Sequence, residues 1–404
     1  MAHKLSEVLC PLPFCSVTYG MVGNMGPCTH NNELTKFQSV DDYWKDPKVI
    51  KLQQDMLNGI KNPTCGDCYK KEEMGARSQR QWTSDHTIQN FDYTKVPNLE
   101  YLWLRLSNIC NFKCIHCHSS TSSLIALEQE KRGIRVPGMH KYHAGPDGID
   151  ETAVLNETIK HSDDLQLLAF SGGEPLIHWQ HWEILKYCID NDIKPNLKYF
   201  TNLSVTKYKQ YDLLDTWEHF PHIEAIVGFD ADELGNNYFR QNMNFKATLK
   251  RIEAVRERIP NIEMPVTATL SWLNAISACR MFEKLTSKYP HWQFNVNTLF
   301  HEYIDMRIAP KYMKDRINKQ FDSTIIKVKS NGFHDLAFKL QNEQRIMNSD
   351  DWSYKFEEAL SWLRDKDEYR KRDFREFFPE IGDIDYNNYN KVSFTPLELP
   401  VTAE

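Results

Sequence analysis

Apolar, β-branched segments alternate about six times with amphipathic helical segments between residues 97 and 310, and this alternation constrains the fold more than any other feature. It predicts an α/β fold with a parallel sheet or a partial barrel, because a helix returns the chain to the start of each next parallel strand. Several segments are apolar at successive positions, as expected of strands that are covered on both faces. Ligands bind at the carboxyl ends of the strands in such folds. The predicted strands are Leu99–Ser107, Leu165–Phe170, Leu197–Thr201, Glu224–Phe229, Val266–Ser271 and Gln293–Thr298.

Three cysteines, Cys110, Cys114 and Cys117, follow the first predicted strand in a CxxxCxxC pattern. A [4Fe–4S] cube has four irons and normally takes four cysteines. Since no further cysteine is near in sequence, one iron of such a cube is left without a thiolate and can bind a substrate directly. The alternative is a zinc site completed by His116 or His118, but structural zinc sites usually combine paired CxxC units with four protein ligands. The spacing therefore favours an iron–sulfur cluster over zinc.

A Ser-Gly-Gly-Glu-Pro turn at 171–175 follows the second predicted strand. Adjacent glycines let the backbone approach a ligand closely and present amide and carbonyl groups to it. Taken alone, the turn is also typical of an ordinary strand-to-helix connection, in which Glu174 caps the helix that begins near His178. Because it comes one strand after the cysteines, we expect the turn and the cysteines to lie at the same end of the sheet.

Together, the cysteine triad, with His116 before its last cysteine, and the Gly-Gly-Glu-Pro turn resemble radical SAM enzymes over about residues 97 to 310. The resemblance implies a partial (β/α)6, TIM-like barrel in which the triad holds a [4Fe–4S] cluster and S-adenosylmethionine (SAM) chelates the fourth iron. It also implies reductive cleavage of SAM to a 5′-deoxyadenosyl radical that removes hydrogen from a substrate. The cofactor carries this chemistry, while the protein positions it and excludes water.

The resemblance also assigns residues around SAM. Those that match the turn at the methionyl amino group, the ribose site and the carboxylate site are Gly172, Gly173, Glu174, Asn202 and Arg240. For Arg240, an exposed helix arginine is the alternative. The chain departs from the family pattern at Leu203, where glycine is frequent, and at Gly228, where serine is common. Asp230 is a candidate acid or base on the substrate side, and Asn274 is a weaker candidate at the same end of the sheet.

Four further cysteines, Cys15, Cys28, Cys65 and Cys68, lie in the loop-rich N-terminal region, the last two as a CxxC pair. Four thiolates are typical of a tetrahedral zinc site or of a complete [4Fe–4S] cluster, and the spacing does not separate the two. The pattern resembles the twitch domain, the shortened form of the SPASM domain, which carries an auxiliary cluster. In families with that domain it usually follows the radical SAM core, whereas here it precedes it. Cys10 is a spare thiol that could replace Cys15 as a ligand.

These patterns divide the chain into a twitch-like domain at 1–96, a radical SAM core at 97–310 and a helical C-terminal extension at 311–404. Relatives with twitch or SPASM domains often modify peptides or proteins, so the resemblance favours such a substrate, with small-molecule dehydrogenation as the alternative. It also implies a low-potential electron donor such as flavodoxin or ferredoxin. A zinc-stabilised binding protein and an iron–sulfur electron-transfer protein are the alternatives from other functional classes.

The composition is ordinary for a globular protein, with 41% hydrophobic and 26% charged residues. The net charge of −6 and the lack of a long basic run disfavour nucleic acid as a partner. No apolar stretch is long enough to span a membrane and no signal peptide is recognisable, so we expect a cytoplasmic protein. Disulfides are unlikely there, and Cys188 and Cys279, alone in helix-like segments, are predicted to be buried and inert.

Overall fold

The structure is a computed structural model that describes residues 7–20, 23–31, 34–73, 77–134 and 152–384. Its strands are β1 Ser16–Tyr19, β2 Asn24–Gly26, β3 Thr35–Lys36, β4 Tyr101–Arg105, β5 Lys113–Cys114, β6 Leu167–Ser171, β7 Asn196–Thr201, β8 Lys207–Tyr208, β9 Tyr211–Asp212, β10 Ile223–Gly228, β11 Arg240–Gln241, β12 Val266–Leu270 and β13 Phe294–Thr298. Its α-helices are α1 Leu12–Cys15, α2 Val40–Tyr43, α3 Pro47–Leu57, α4 Gly66–Glu73, α5 Gln79–Trp82, α6 Ser123–Lys131, α7 Ala153–Lys160, α8 Trp179–Asp190, α9 Leu213–Trp217, α10 Glu233–Phe239, α11 Phe245–Arg258, α12 Ala275–Lys288, α13 Lys311–Ser330, α14 His334–Met347, α15 Phe356–Arg370 and α16 Phe374–Phe377.

The main sheet has nine strands in the order β13-β12-β10-β7-β6-β4-β1-β2-β3. All neighbouring pairs from β13 to β1 are parallel. Each of the six predicted strands is present, as β4, β6, β7, β10, β12 and β13, and they lie in the sheet in sequence order. The predicted α/β fold with a mostly parallel sheet is therefore confirmed.

The two faces of the sheet differ in chemistry. In β4, Leu102 and Leu104 are buried, whereas the alternate residues Tyr101, Trp103 and Arg105 are half-buried. The same alternation is present in β10. The prediction of strands apolar on both faces is thus only partly correct, because one face packs in the core and the other lines cavities.

The N-terminal region joins the same sheet. Strand β1 runs parallel to β4, with Val17 opposite Leu102, and β2 and β3 follow as antiparallel strands. Backbone hydrogen bonds therefore cross the boundary that the sequence placed at residue 96. Strands β1, β2 and β3 therefore form one continuous sheet with the parallel strands.

Two separate helices, α2 and α3, follow Ser39. Ser39 caps α2, since its Oγ accepts a hydrogen bond from the Asp42 N–H at 3.1 Å. The helix stops after Tyr43, and α3 restarts at Pro47, whose missing N–H suits the first position of a new helix.

The C-terminal helices pack on the edge of the sheet. Helix α13 contacts α12, and α14 contacts β13. The apolar residues at helical spacing in α15 are all buried, namely Phe356, Leu360 and Leu363. The end of the predicted helical extension, 385–404, lies outside the described residues. Among the residues described, no helix has the length and apolar character required to cross a membrane.

Candidate active site

A cavity of about 230 Å³, here called the triad cavity, lies at the carboxyl ends of the parallel strands. It brings together the predicted residues that follow β4, β6, β7 and β10. Those that line it are Cys110, Cys114, Cys117, Gly172, Gly173, Glu174, Asn202, Gly228 and Arg240. The prediction that the turn and the cysteines share one end of the sheet is therefore confirmed.

The three cysteine side chains are packed in one loop. The Phe112 N–H donates to Cys110 Sγ at 3.4 Å. A hydrogen bond between the Cys114 and Cys117 side chains lowers the pKa of Cys117 to about 5 and raises that of Cys114. Burial raises the pKa of Cys110 to about 12. The described residues contain no group of three or more His, Cys, Asp or Glu side chains placed around a single ion.

A short antiparallel pair fixes Arg240 beside the cysteines. In this pair, between β5 and β11, Arg240 lies opposite Cys114, and the Ile115 N–H donates to the Phe239 carbonyl at 2.8 Å. The His116 ring stacks on Phe239 with the centroids 5.1 Å apart. Arg240 is therefore buried at the triad cavity and is not an exposed helix arginine.

Gly228 makes room for the Arg240 guanidinium. A Cβ atom at position 228 would lie 2.1 Å from Arg240 Nη2, which is closer than any real contact. The replacement of the family's usual serine by glycine is thus coupled to the placement of Arg240. Burial opposes the charge of this arginine, but the Asp230 carboxylate raises its pKa, so it stays cationic.

Asp230 lies behind Arg240 and not at the surface of the triad cavity. Its side chain is fully buried. One oxygen is 2.6 Å from Arg240 Nε, and the other accepts from the Thr269 N–H at 2.8 Å. The expected acid or base role toward a substrate does not suit this position, because Asp230 does not line the triad cavity. Asn274 is also enclosed, since its Nδ2 donates to the Asp230 carbonyl at 2.6 Å.

The glycines of the turn allow its backbone to approach the segment that leads to the cysteines. The Gly173 N–H donates to the Ser107 carbonyl at 2.9 Å, and the Glu174 N–H donates to the Ile109 carbonyl at 2.7 Å. A Cβ atom at position 173 would lie 2.1 Å from the Ile109 oxygen. Gly172 has φ +107°, a conformation that favours glycine. The turn is therefore held by backbone hydrogen bonds on the segment that leads to Cys110.

Glu174 links the turn to the end of β7. Its carboxylate accepts hydrogen bonds from Thr201 Oγ1 and the Asn202 N–H, both at 2.6 Å, and from the Leu176 N–H at 3.2 Å. Burial raises the pKa of Glu174 to about 7. Asn202 Nδ2 in turn donates to Asn111 Oδ1 at 3.0 Å. Leu203, next along, has φ +47°, so this departure from the family's glycine places a buried side chain in the left-handed region.

A second group of cysteines surrounds a separate cavity, here called the N-terminal cavity. Its four cysteines are Cys10, Cys28, Cys65 and Cys68. The CxxC pair spans the start of α4, and Cys28 follows β2. Burial and the other cysteines raise the pKa of the Cys10 thiol. The structure therefore groups Cys10 with the three other predicted cysteines.

Cys15, which the sequence placed in this group, does not line the N-terminal cavity. It is buried at the end of α1, and its Sγ donates to the Pro11 carbonyl at 3.3 Å. Of the two thiols that the sequence left as alternatives, the structure places Cys10, and not Cys15, with Cys28, Cys65 and Cys68. The two thiols have different surroundings because Cys10 precedes α1, whereas Cys15 is the last residue of that helix.

Two tyrosines with unpaired hydroxyls interact with the cysteines of the N-terminal cavity, although they do not line it. The hydroxyls of Tyr43 and Tyr69 are buried and make no hydrogen bond. Tyr43 interacts electrostatically with Cys28, and Tyr69 with Cys65 and Cys10. Arg80 lines the cavity and is paired with Glu72 at 2.6 Å. Four thiols, two buried and two half-buried, together with a guanidinium fit an anionic metal–sulfur group.

Residues 104–273 match the model of the Radical SAM superfamily. This part of the chain is therefore similar to radical SAM domains, a family that implies a [4Fe–4S] cluster and SAM. The match begins in β4 and ends after β12, so it contains the cysteine triad and the glycine turn. The cysteines of the N-terminal cavity lie outside it.

An uncharacterized protein from Methanocaldococcus jannaschii is 24% identical over 143 residues, which are 35% of this chain and 42% of that protein. The solved structure of anSMEcpe with bound AdoMet shares 15% identity with a TM-score of 0.37, over 58% of this chain and 62% of that one. Streptococcus suis SuiB bound to the precursor peptide SuiA shares 12% identity with a TM-score of 0.32, over 66% of this chain and 60% of that one. The matches thus span less than two thirds of each of these proteins.

Proposed function

We propose that the chain is a radical SAM enzyme that cleaves SAM reductively at a [4Fe–4S] cluster and uses the 5′-deoxyadenosyl radical to remove hydrogen from a peptide or protein. The observation that carries this proposal is the triad cavity. Three cysteines, a buried carboxylate and a buried guanidinium line one space of about 230 Å³. The cluster and SAM supply the radical chemistry, with one electron from a donor such as flavodoxin or ferredoxin.

The side chains of the triad cavity have distinct roles in this proposal. Cys110, Cys114 and Cys117 provide thiolates for three irons, so that one iron is left for SAM. Arg240 offers a guanidinium to the SAM carboxylate, because arginine suits bidentate contact with carboxylates. Glu174 offers a carboxylate to the SAM amino group.

Asp230 acts as a positioning residue in this proposal. Its fully buried carboxylate balances the charge of Arg240 and restricts the orientation of the guanidinium at 2.6 Å. Gly228 provides the space in which that guanidinium lies. The two residues therefore support SAM binding through Arg240 and not by direct contact.

The N-terminal region is proposed to hold an auxiliary [4Fe–4S] cluster on Cys10, Cys28, Cys65 and Cys68, as a twitch-like unit. Four thiolates satisfy four irons, so the proposed role is electron transfer and not SAM binding. The buried guanidinium of Arg80 offsets part of the negative charge of such a group. Tetrahedral zinc on the same four thiols is the alternative that metal analysis would reveal.

The curvature of a partial barrel is part of this proposal. Thr18 on β1 and Asn297 on β13 line one cavity, although their strands are far apart in the order of the sheet. A curved sheet brings such distant strands around a common space. The peptide or protein substrate is favoured by the resemblance of the N-terminal cysteine pattern to twitch domains, and a small alcohol or sugar is the competing class.

One experiment tests the core of the proposal. The protein is purified anaerobically, its iron, sulfide and zinc are counted, and it is incubated with SAM and dithionite. We expect about eight irons per chain and formation of 5′-deoxyadenosine. Zinc without iron would indicate a metal-stabilised binding protein in place of an enzyme. Intact clusters that do not cleave SAM would leave an electron-transfer protein.

A further inference from the structure

A third cavity, of about 360 Å³ and here called the middle chamber, lies between the other two. It shares Cys28 and His30 with the N-terminal cavity, and it shares Phe200 and Asn297 with the triad cavity. Its volume is in the range of small-molecule and side-chain binding sites. If the triad cavity holds SAM, as proposed above, the middle chamber is the space in which a substrate group lies next to it.

Four large aromatic side chains line the middle chamber, namely Trp82, Tyr101, Trp103 and Phe200. Trp103 and Phe200 stack with their centroids 5.5 Å apart at an interplanar angle of 30°. Phe200 is 38% exposed and Trp82 is 44% exposed, although both side chains line a cavity. A ligand that covers large apolar side chains exposed in a cavity lowers the free energy of the complex. Aromatic rings also pack favourably against other aromatic rings.

The charge of the middle chamber is balanced by the protein itself. Lys198 is the one lysine or arginine among its described lining residues, and it is already paired with Glu224. None of the described lining residues is acidic. Apart from Cys28, which would be a thiolate ligand of the proposed auxiliary cluster, no described lining residue offers a counter-charge to an ammonium or guanidinium group. A carboxylate would have to compete with Glu224 for Lys198.

One hydroxyl in the middle chamber lacks a partner. Thr18 on β1 is fully buried, and its Oγ1 makes no hydrogen bond. Trp103, by contrast, already donates from Nε1 to Ser171 Oγ at 2.7 Å. Buried polar groups are nearly always hydrogen-bonded, so an unpaired hydroxyl that lines a cavity indicates a polar atom on the ligand.

We infer that the middle chamber binds an uncharged aromatic side chain with a hydrogen-bonding atom, namely the phenol or indole ring of a peptide substrate. Phe200 and Trp103 pack against the ring, and Thr18 Oγ1 bonds the polar atom. Because Phe200 lines both cavities, the bound ring lies beside the proposed SAM site. This inference rests on the proposed function and narrows its substrate class.

The test uses the reconstituted, SAM-loaded enzyme and three probes: N-acetyl-tyrosinamide, N-acetyl-lysinamide and glucose. Affinity is measured by calorimetry, and contact by saturation-transfer NMR. We expect the tyrosine probe to bind at least about tenfold more tightly than the other two, since burial of one ring contributes more than 1.4 kcal/mol. Equal or tighter binding of the lysine probe or of glucose would overturn the inference.

Two variants locate the binding. Phe200→Ala should lower the affinity for the tyrosine probe about tenfold. Thr18→Val should lower it about fivefold, because a hydrogen bond contributes about 1 kcal/mol. Phe338→Ala, an exposed aromatic on α14 that lines none of the three cavities, is the matched control and should change nothing. Unchanged affinity in the Phe200 variant would contradict the inference.

The inference about the substrate class and the proposed function can be refuted independently of each other. SAM cleavage by the unmodified enzyme is measured in the same preparations without any probe. Absence of 5′-deoxyadenosine would remove the proposed function, whereas cleavage without preference for the tyrosine probe would remove only the substrate class inferred here.

Discussion

The triad cavity takes its three cysteines from one loop after β4, whereas the N-terminal cavity takes four from three separate segments. In the first case, the spacing along the chain nearly fixes the spacing of the thiols. In the second, helix α1 and the start of α4 decide which thiols meet. A local ligand set can therefore be read from a sequence, while a dispersed set depends on how the segments between its members fold.

Loss of a triad cysteine should have the largest effect. Cys110→Ala, Cys114→Ala and Cys117→Ala are each expected to abolish SAM cleavage, because no other described cysteine lines the triad cavity. The readout is 5′-deoxyadenosine by chromatography, with iron falling from about eight to about four per chain. Cys279→Ala, in buried helix α12, is the control. Residual cleavage in a triad variant would show that the local set is incomplete.

Cys10 and Cys15 provide a matched pair for the dispersed set. Cys10→Ala should remove the N-terminal metal, iron or zinc, and spare SAM cleavage while blocking substrate turnover. Cys15→Ala should keep the metal and cost about 1 kcal/mol of unfolding free energy from lost packing. Metal analysis and thermal unfolding measure the two outcomes. The reverse pattern would restore the ligand set read from the sequence.

Gly228→Ala tests the space in which Arg240 lies. The new methyl group displaces the guanidinium, and loss of a charged hydrogen bond weakens SAM binding by roughly tenfold to a hundredfold. Arg240→Gln should cause a similar loss, and the double variant should add little, because both changes remove one contact. Additive losses, measured by equilibrium binding of SAM, would mean that the two residues act independently.

The pH dependence of SAM binding should follow Glu174. Its pKa of about 7 is raised by burial, so the carboxylate that attracts the SAM amino group is lost as the pH falls below that value. We expect affinity to fall roughly fivefold from pH 7 to pH 6. Glu174→Gln should bind weakly at both pH values. A wild-type affinity that does not change over this range would contradict the assigned role.

The smallest effect is expected at the unpaired tyrosine hydroxyls. Tyr69→Phe should leave the metal-free protein unchanged or slightly more stable, but it should destabilise the metal-loaded protein by about 1 kcal/mol if the hydroxyl then bonds a sulfur atom. Tyr19, whose buried hydroxyl is also unpaired but interacts electrostatically with Glu157 and not with the cysteines of the N-terminal cavity, is the control. Thermal unfolding of both forms gives the comparison. Equal effects at the two tyrosines would exclude a contact with the bound group.

Sequence patterns were sufficient for the six parallel strands and for the residues at their ends. β-Branched runs mark strands. Gly172 and Gly173 follow β6 directly, and Cys110 comes five residues after the end of β4. Arg240 was harder, because its position depends on the two-residue pair of β5 and β11, which is too short to show a pattern. The signal that could have located it is Gly228, since a glycine at a strand end indicates a close neighbour.

The N-terminal region was predicted least well, for two physical reasons. Strand β1 has only four residues, Ser16–Tyr19, and adds to the sheet through a partner distant in sequence. The choice between Cys10 and Cys15 depends on α1, a helix of one turn. Neither element is long enough to show a hydrophobic periodicity in a single sequence.

The pairing of β1 with β4 also bears on how the protein is made. Strand β1 leaves the ribosome first, but its parallel partner is synthesised only after helices α2 to α5. Until then Cys10, Cys28, Cys65 and Cys68 lack the support of the sheet. Closing so long a segment is entropically costly, and such contacts form late in folding. The nascent chain therefore holds these thiols in an unfinished pocket, and if they bind the proposed cluster, its delivery has to be timed to the completion of the sheet.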